Sequence, residues 1–162
     1  MRRAPLLAAG LILVVLAACG GDGGGPGGPS GSGTLTARVD GSTWTATSGI
    51  LALRANNVIS FTGSVGATSH IAIAFPDAGT GTYSVPTAVG LNFNYGVFST
   101  GHVWQALALG AQLGGVGSGS VTVTTLNSER VAGTFEFTAP PAQSSGATGT
   151  KVVTNGSFNI KF

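Results

Sequence analysis

Leu35-Thr36-Ala37-Arg38-Val39-Asp40-Gly41-Ser42-Thr43-Trp44 alternates apolar and polar residues up to an Asp-Gly pair, beyond which a second short run follows. A period of two is what a strand with one buried face requires. An Asp-Gly pair between such runs is a strong hairpin signal, because a type I′ turn needs positive φ at both central residues. The stretch predicts a strand, a tight turn and a returning strand.

The same period runs through the rest of the chain. Residues 50–55 and 58–65 flank Asn56-Asn57, a pair that also tolerates left-handed turn positions, so a second hairpin is expected, with Ile59, Phe61 and Val65 on one face. Ile71, Ile73 and Phe75 alternate with His70, Ala72 and Ala74 until Pro76, which removes a ladder donor and ends the run. Tyr83, Ser84 and Val85 precede Pro86, and Leu91, Phe93, Tyr95 and Val97 alternate with Asn92, Asn94 and Gly96. Residues 103–109 form a further strand, with Val103, Leu107 and Leu109 on one face and Trp104 and His102 on the other. After a Gly-rich break at residues 114–119, Val121 and Val123 pair across Asn127-Ser128-Glu129-Arg130 with Val131, Phe135 and Phe137. Residues 140–150 form a polar loop, and residues 152–162 a closing strand with Phe158, Ile160 and Phe162 on one face.

Helical periodicity is missing from this part of the sequence, and so is a fixed-period repeat. Residues 34–162 therefore read as one all-β domain, an antiparallel two-sheet sandwich or flattened barrel built from hairpins.

The start of the chain has a different character. Met1-Arg2-Arg3 precedes an apolar run over residues 4–16, the charged-then-apolar order of a secretory signal helix. That run is shorter than the ~20 residues that span a hydrocarbon core. It ends in Leu16-Ala17-Ala18-Cys19, which resembles the lipobox of bacterial lipoproteins. The resemblance implies removal of residues 1–18, diacylation of the Cys19 thiol, and a membrane partner held through the acyl chains. Two or more such chains anchor stably, at about 0.8 kcal/mol per buried methylene. Gly20 follows the cysteine where an Asp would resemble the inner-membrane retention signal. The expected location is the cell envelope, and the outer membrane if the source is Gram-negative. Residues 19–33, nearly all Gly, Pro and Ser beyond the cysteine, read as a flexible spacer.

Charge and cysteine content exclude several function classes. Of seven Lys and Arg and five Asp and Glu, Arg2 and Arg3 leave with the signal, so five cations face five anions and no nucleic-acid footprint remains. Cys19 is the one cysteine, so an acylated Cys19 leaves no thiol for a disulfide, a metal or nucleophilic catalysis.

Gly119-Ser120-Val121-Thr122-Val123-Thr124, Val131-Ala132-Gly133-Thr134-Phe135-Glu136-Phe137 and Val153-Thr154-Asn155-Gly156-Ser157-Phe158 together resemble a family of small bacterial envelope lipoproteins of unknown function. Its Ala-x-Val-Asp-Gly-x-x-Trp stretch is matched by residues 37–44. The resemblance implies an all-β envelope lipoprotein and supplies no catalytic residues.

Candidate chemistry is sparse. His70 and His102 fall on different strands with no carboxylate nearby in sequence, so the expectation is no metal, no cofactor and no catalytic base. Asp40 and Asp77 read as turn residues. Trp104 and His102 share a face that is either a packed layer or a platform for a ligand. Small Ala106 and Ala108 beside Trp104 favour packing. The leading function is a non-enzymatic structural or binding module with an envelope protein or glycan as partner. The alternative is a small-ligand or glycan binder with a lipocalin-like pocket, and a hydrolase using Asp77 or a histidine stands third.

Overall fold

A computed structural model describes residues 32–110 and 114–162. The expected signal helix and most of the spacer, Cys19 included, lie outside the described residues. Twelve strands run in chain order: β1 (Gly33–Val39), β2 (Ser42–Thr45), β3 (Ser48–Ala55), β4 (Val58–Val65), β5 (Ser69–Pro76), β6 (Gly81–Val85), β7 (Asn92–Val97), β8 (His102–Gly110), β9 (Gly114–Val116), β10 (Ser118–Leu126), β11 (Arg130–Ala139) and β12 (Lys151–Lys161). They form two antiparallel six-stranded sheets, ordered β2-β1-β12-β11-β10-β6 and β3-β4-β5-β7-β8-β9. The sheets do not close into a barrel, so of the two expected architectures the sandwich is the one formed.

Both leading turns have the backbone their residues predict. Asp40 and Gly41 sit at φ 49° and 81°, and Asn56 and Asn57 at 53° and 60°. The second sheet is a meander in chain order, interrupted once when β6 crosses to the far edge of the first sheet. The first sheet joins the two ends of the domain, with Leu35 opposite Phe158 and Val39 opposite Val153.

Along the chain one expectation is corrected and one is met. The Gly-rich stretch at residues 114–119 contains the short strand β9 and the start of β10, where Gly119 pairs with Phe137 and Val85. In β8 the inward face is Trp104, Ala106 and Ala108, whereas Leu109 is 48% exposed. The larger side chains point outward because Ala106 stands beside Phe93 on the inner face, where the stacked rings of Phe93 and Phe137 already fill the space between the sheets.

That space holds six of the eight phenylalanines. Phe61 stacks on Phe158 at 4.5 Å and Phe93 on Phe137 at 5.0 Å, each pair spanning the two sheets. Glycines make the room. Gly119, Gly133 and Gly156 stand directly opposite Phe137, Phe158 and Phe135. A Cβ at Gly156 would lie 2.6 Å from the Phe135 ring, and one at Gly133 would lie 2.8 Å from Cζ of Phe158. Gly133 thus sits inside β11 as a gap under a ring.

Phe137→Ala should cost about 3–5 kcal/mol, as aromatic truncations in cores do. Glu136→Ala, on the outward side of the same strand, should stay within ~0.5 kcal/mol. Gly133→Ala should cost about 1–3 kcal/mol through overpacking. Urea midpoints of the three variants check the assignment, and equal midpoints for the first two would reverse the inward and outward faces of β11.

Candidate binding faces

Trp104 and His102 are brought together, in edge-to-face contact at 6.0 Å. Their face is closed. Trp104 is 5% exposed beneath the 140–150 loop, to which its Nε1 donates through Gly149 O at 3.1 Å. The loop is laid along β8 by backbone bonds from Gln105 N to Pro140 O and from Ala142 N to Val103 O. Ser145 Oγ adds a bond to Val103 O at 3.0 Å. Beyond the loop, Lys151 Nζ lies 5.0 Å from the Trp104 ring centroid and 5.9 Å from that of Tyr95. The same ammonium pairs with Asp40 Oδ2 at 2.6 Å. Cation, carboxylate and two rings therefore cap one end of the sandwich.

The remaining sequence candidates lie apart. Asp77 meets Arg54 through both carboxylate oxygens, at 2.5 and 3.0 Å. Asp40 occupies its turn and also accepts the Val152 N–H at 3.0 Å. Partial burial pushes the Asp40 carboxyl up, but hydrogen bonds from Lys151 and Val152, with the attraction of the ammonium, outweigh it and hold the group below its ordinary value. Among the described residues no three His, Cys, Asp or Glu side chains gather as a metal set. Ser69, a buried polar side chain with no signal in the sequence, accepts the Trp44 Nε1–H at 2.9 Å and joins the edge of one sheet to the other.

His70 lies on the outer face of the second sheet, directly opposite Gly96. A Cβ at Gly96 would strike the imidazole, which lies tilted against Phe98 at 5.0 Å. Burial holds this histidine below its ordinary value, and its Nδ1 is buried without a hydrogen-bond partner.

Around His70 the outer face presents Leu53, Ser60, Ala74, Asn92, Leu107 and Val116 in one cross-strand row. Leu51, Thr62, Ala72, Asn94 and Gln105 form the next. Neither row contains a charged residue. Small Ala72 and Ala74 form the floor of a groove of about 290 Å³, with Leu51 and Leu53 on one side and amides on the other. Asn92 Oδ1 accepts from Asn94 Nδ2 at 2.9 Å and Gln105 Nε2 at 3.3 Å. These bonds orient the amides and leave Asn94 Oδ1, Gln105 Oε1 and the Asn92 amide hydrogens for a ligand. The outer face of the first sheet is different in kind, with Ser120, Thr122, Thr134, Ser157 and the carboxylate of Glu136 around its depression. The groove was missed in the sequence because each strand alone looks like ordinary alternation. The available signal was the lack of charge at the outward positions of four strands.

Two tests follow from these contacts. Trp104→Ala should destabilise the domain by roughly 3–5 kcal/mol, and an unchanged melting temperature would mean that the ring is not packed. A histidine whose folded pKa is depressed contributes stability that is present above its unfolded pKa, about 6.5, and is lost as pH falls from there toward the folded value. His70→Gln should therefore flatten the decline of unfolding free energy below about pH 6.5. Denaturation curves at several pH values read it, and an unaltered slope would place the titration elsewhere.

Residues 31–160 match a family model described as a domain of unknown function, DUF6252. No curated protein matches the chain. No solved structure matches it either. The match covers most of the sequence and the whole of the sandwich apart from its last strand residue, so the chain belongs to the DUF6252 family.

Proposed function

We propose that this chain is a lipid-anchored domain of the bacterial cell envelope that works as a non-enzymatic binding or structural module. The observation that carries the anchoring is Leu16-Ala17-Ala18-Cys19, placed directly after an apolar run and directly before a Gly-rich spacer. The transfer chemistry needs a sulfur nucleophile to form the thioether, and small residues before it let an extended segment enter a peptidase cleft. Thirteen residues, nearly all Gly, Pro and Ser, lie between Cys19 and β1, and a chain of that composition has a root-mean-square reach of ~20 Å. Gly20 after the cysteine favours the outer membrane in a Gram-negative cell.

The engagement of the titratable groups supports a non-enzymatic reading. Asp40 is held by Lys151 and Asp77 by Arg54, each in a structural ion pair. Ligand binding is the second reading, and the uncharged groove over Ala72 and Ala74 favours it. A lipocalin-like pocket between the sheets is replaced in this reading by the outer face, because stacked phenylalanines fill the interior. The groove's chemistry suits a neutral ligand with one apolar side and one amide or hydroxyl edge, such as a glycan.

Cys19→Ser should abolish metabolic labelling by a palmitate analogue and leave the unprocessed precursor, since a hydroxyl does not replace the thiol in the transfer. Label persisting on the variant would sink the anchoring claim.

A further inference from the structure

β3 is an end strand of its sheet, and among the described residues no strand lies beyond it. At eight residues it is the longest of the four end strands; β2 has four, β6 five and β9 three. A free edge presents unpaired N–H and C=O groups and is a template for another strand unless it is blocked. On β3 the blocks sit at the two ends. A bulge with Gly49 at φ 61° lies at its start, and Arg54, drawn aside by Asp77, lies near its finish. Between them Ile50-Leu51-Ala52-Leu53 carries no charge and no proline.

The β3–β4 hairpin determines which backbone groups face outward. Asn56-Asn57 is a two-residue loop with both φ positive, so the flanking Ala55–Val58 pair is hydrogen-bonded on both sides. Bonding alternates along an antiparallel ladder. Leu53 and Leu51 therefore bond to Ser60 and Thr62, while the N–H and C=O groups of Ala52 and Arg54 point away from β4. The neighbouring ladder agrees in phase, because Asp77 N donates to Asn57 O at 2.8 Å and Pro76, which has no N–H, stands at a position that needs none.

We infer that β3 is a homodimerisation edge, pairing antiparallel with β3 of a second copy about a two-fold axis at Ala52. The free groups and the charges select this register. A dyad at Leu51 or Leu53 would bring together residues whose polar groups are already used. One at Arg54 would set two guanidinium-bearing residues directly opposite each other, which is destabilising. At Ala52 each copy donates its Ala52 N–H to the other's Ala52 C=O, and Arg54 pairs with Ile50. The two Arg54 positions then stand about 13 Å apart along the strands, beyond the Debye length of ~8 Å at physiological salt.

The side chains fit the same register. Leu51 and Leu53, on the outer face, fall opposite each other's counterparts as non-hydrogen-bonded pairs, the closer kind, with Cα atoms about 4.5 Å apart. Leu53 is 54% exposed in the single chain, and this pairing covers it. Ala52 meets Ala52 on the inner side, where a larger residue would crowd. The two charge-free faces become one face of twelve strands, with both alanine-floored grooves bordering the same leucine cluster. A second copy is favoured over an unrelated strand because one charge-free window supplies both halves of the contact.

Sedimentation velocity of the full chain in density-matched detergent tests the inference. The wild type should sediment with twice the mass of the chain. Ala52→Pro removes only an N–H that the single chain does not use, a place where edge strands accept proline; it should retain wild-type circular dichroism and halve the mass. Leu53→Lys, at an exposed position, should also give the single-chain mass, and it decides the question if the proline variant does not fold. The Leu51→Cys/Leu53→Cys double variant should cross-link on mild oxidation, and Leu53→Cys alone should not. A monomeric wild type, a dimer that survives both Ala52→Pro and Leu53→Lys, or cross-linking by the single cysteine would overturn the assignment.

Discussion

A layer of phenyl rings between two sheets has to find its volume somewhere, and here it is found opposite glycine. Gly119, Gly156 and Gly133 lie in three successive cross-strand rows, on β10, β12 and β11, each directly opposite a phenylalanine of the neighbouring strand, and at Gly133 and Gly156 the ring itself takes the place of a side chain. In exchange for missing side chains the sheets gain stacked aromatics, with pairwise preferences of about 0.5–1.5 kcal/mol beyond area burial. The remainder of the domain is arranged around this layer. Alanines face it on β8 because the rings and Trp104 leave no more space, and the leucines of that strand are turned to the outside.

The ends of the sandwich are held by polar contacts in place of disulfides. Asp40 combines three functions at one turn: it tolerates positive φ, it exchanges backbone and side-chain bonds with Val152, and it pairs with Lys151. Lys151 in turn lies over Trp104, so the β1–β2 turn, the start of β12 and the second sheet meet at one ammonium. Trp44 reaches the opposite sheet through Ser69. The Ala-x-Val-Asp-Gly-x-x-Trp stretch is thus accounted for by architecture, with no chemistry left over.

The two outer faces divide the surface properties. The first sheet shows hydroxyls with Arg38 and Glu136 among them, while the central rows of the second show leucine, alanine, amides and one neutral-favouring histidine. A face without charge has little long-range electrostatic steering, so its selectivity must come from shape and from the aligned amides of Asn92, Asn94 and Gln105. The exposed β3 window adjoins that face. In the proposed reading the anchor stands apart from this face, whereas the groove and the self-associating edge share Leu51 and Leu53.

The class of fold was legible in the sequence because strands and tight turns are local. Alternation around Asp40-Gly41 and Asn56-Asn57 specifies each hairpin from a dozen residues, and the same alternation places Phe135 and Phe137 inside with Glu136 outside. The Cys19 motif is likewise a local signal. On β8 the small Ala106 and Ala108 pointed locally to a packed Trp104 face, but that Leu109, of the larger apolar set, is turned outward is decided by the rings arriving from β7 and β11. The passage of β6 into the other sheet, the glycine gaps under Phe135 and Phe158, and the groove over Ala72 and Ala74 depend on residues far apart in the chain. A period of two divides each strand into two faces but does not name the inner one, and that choice is made by volume when the sheets meet.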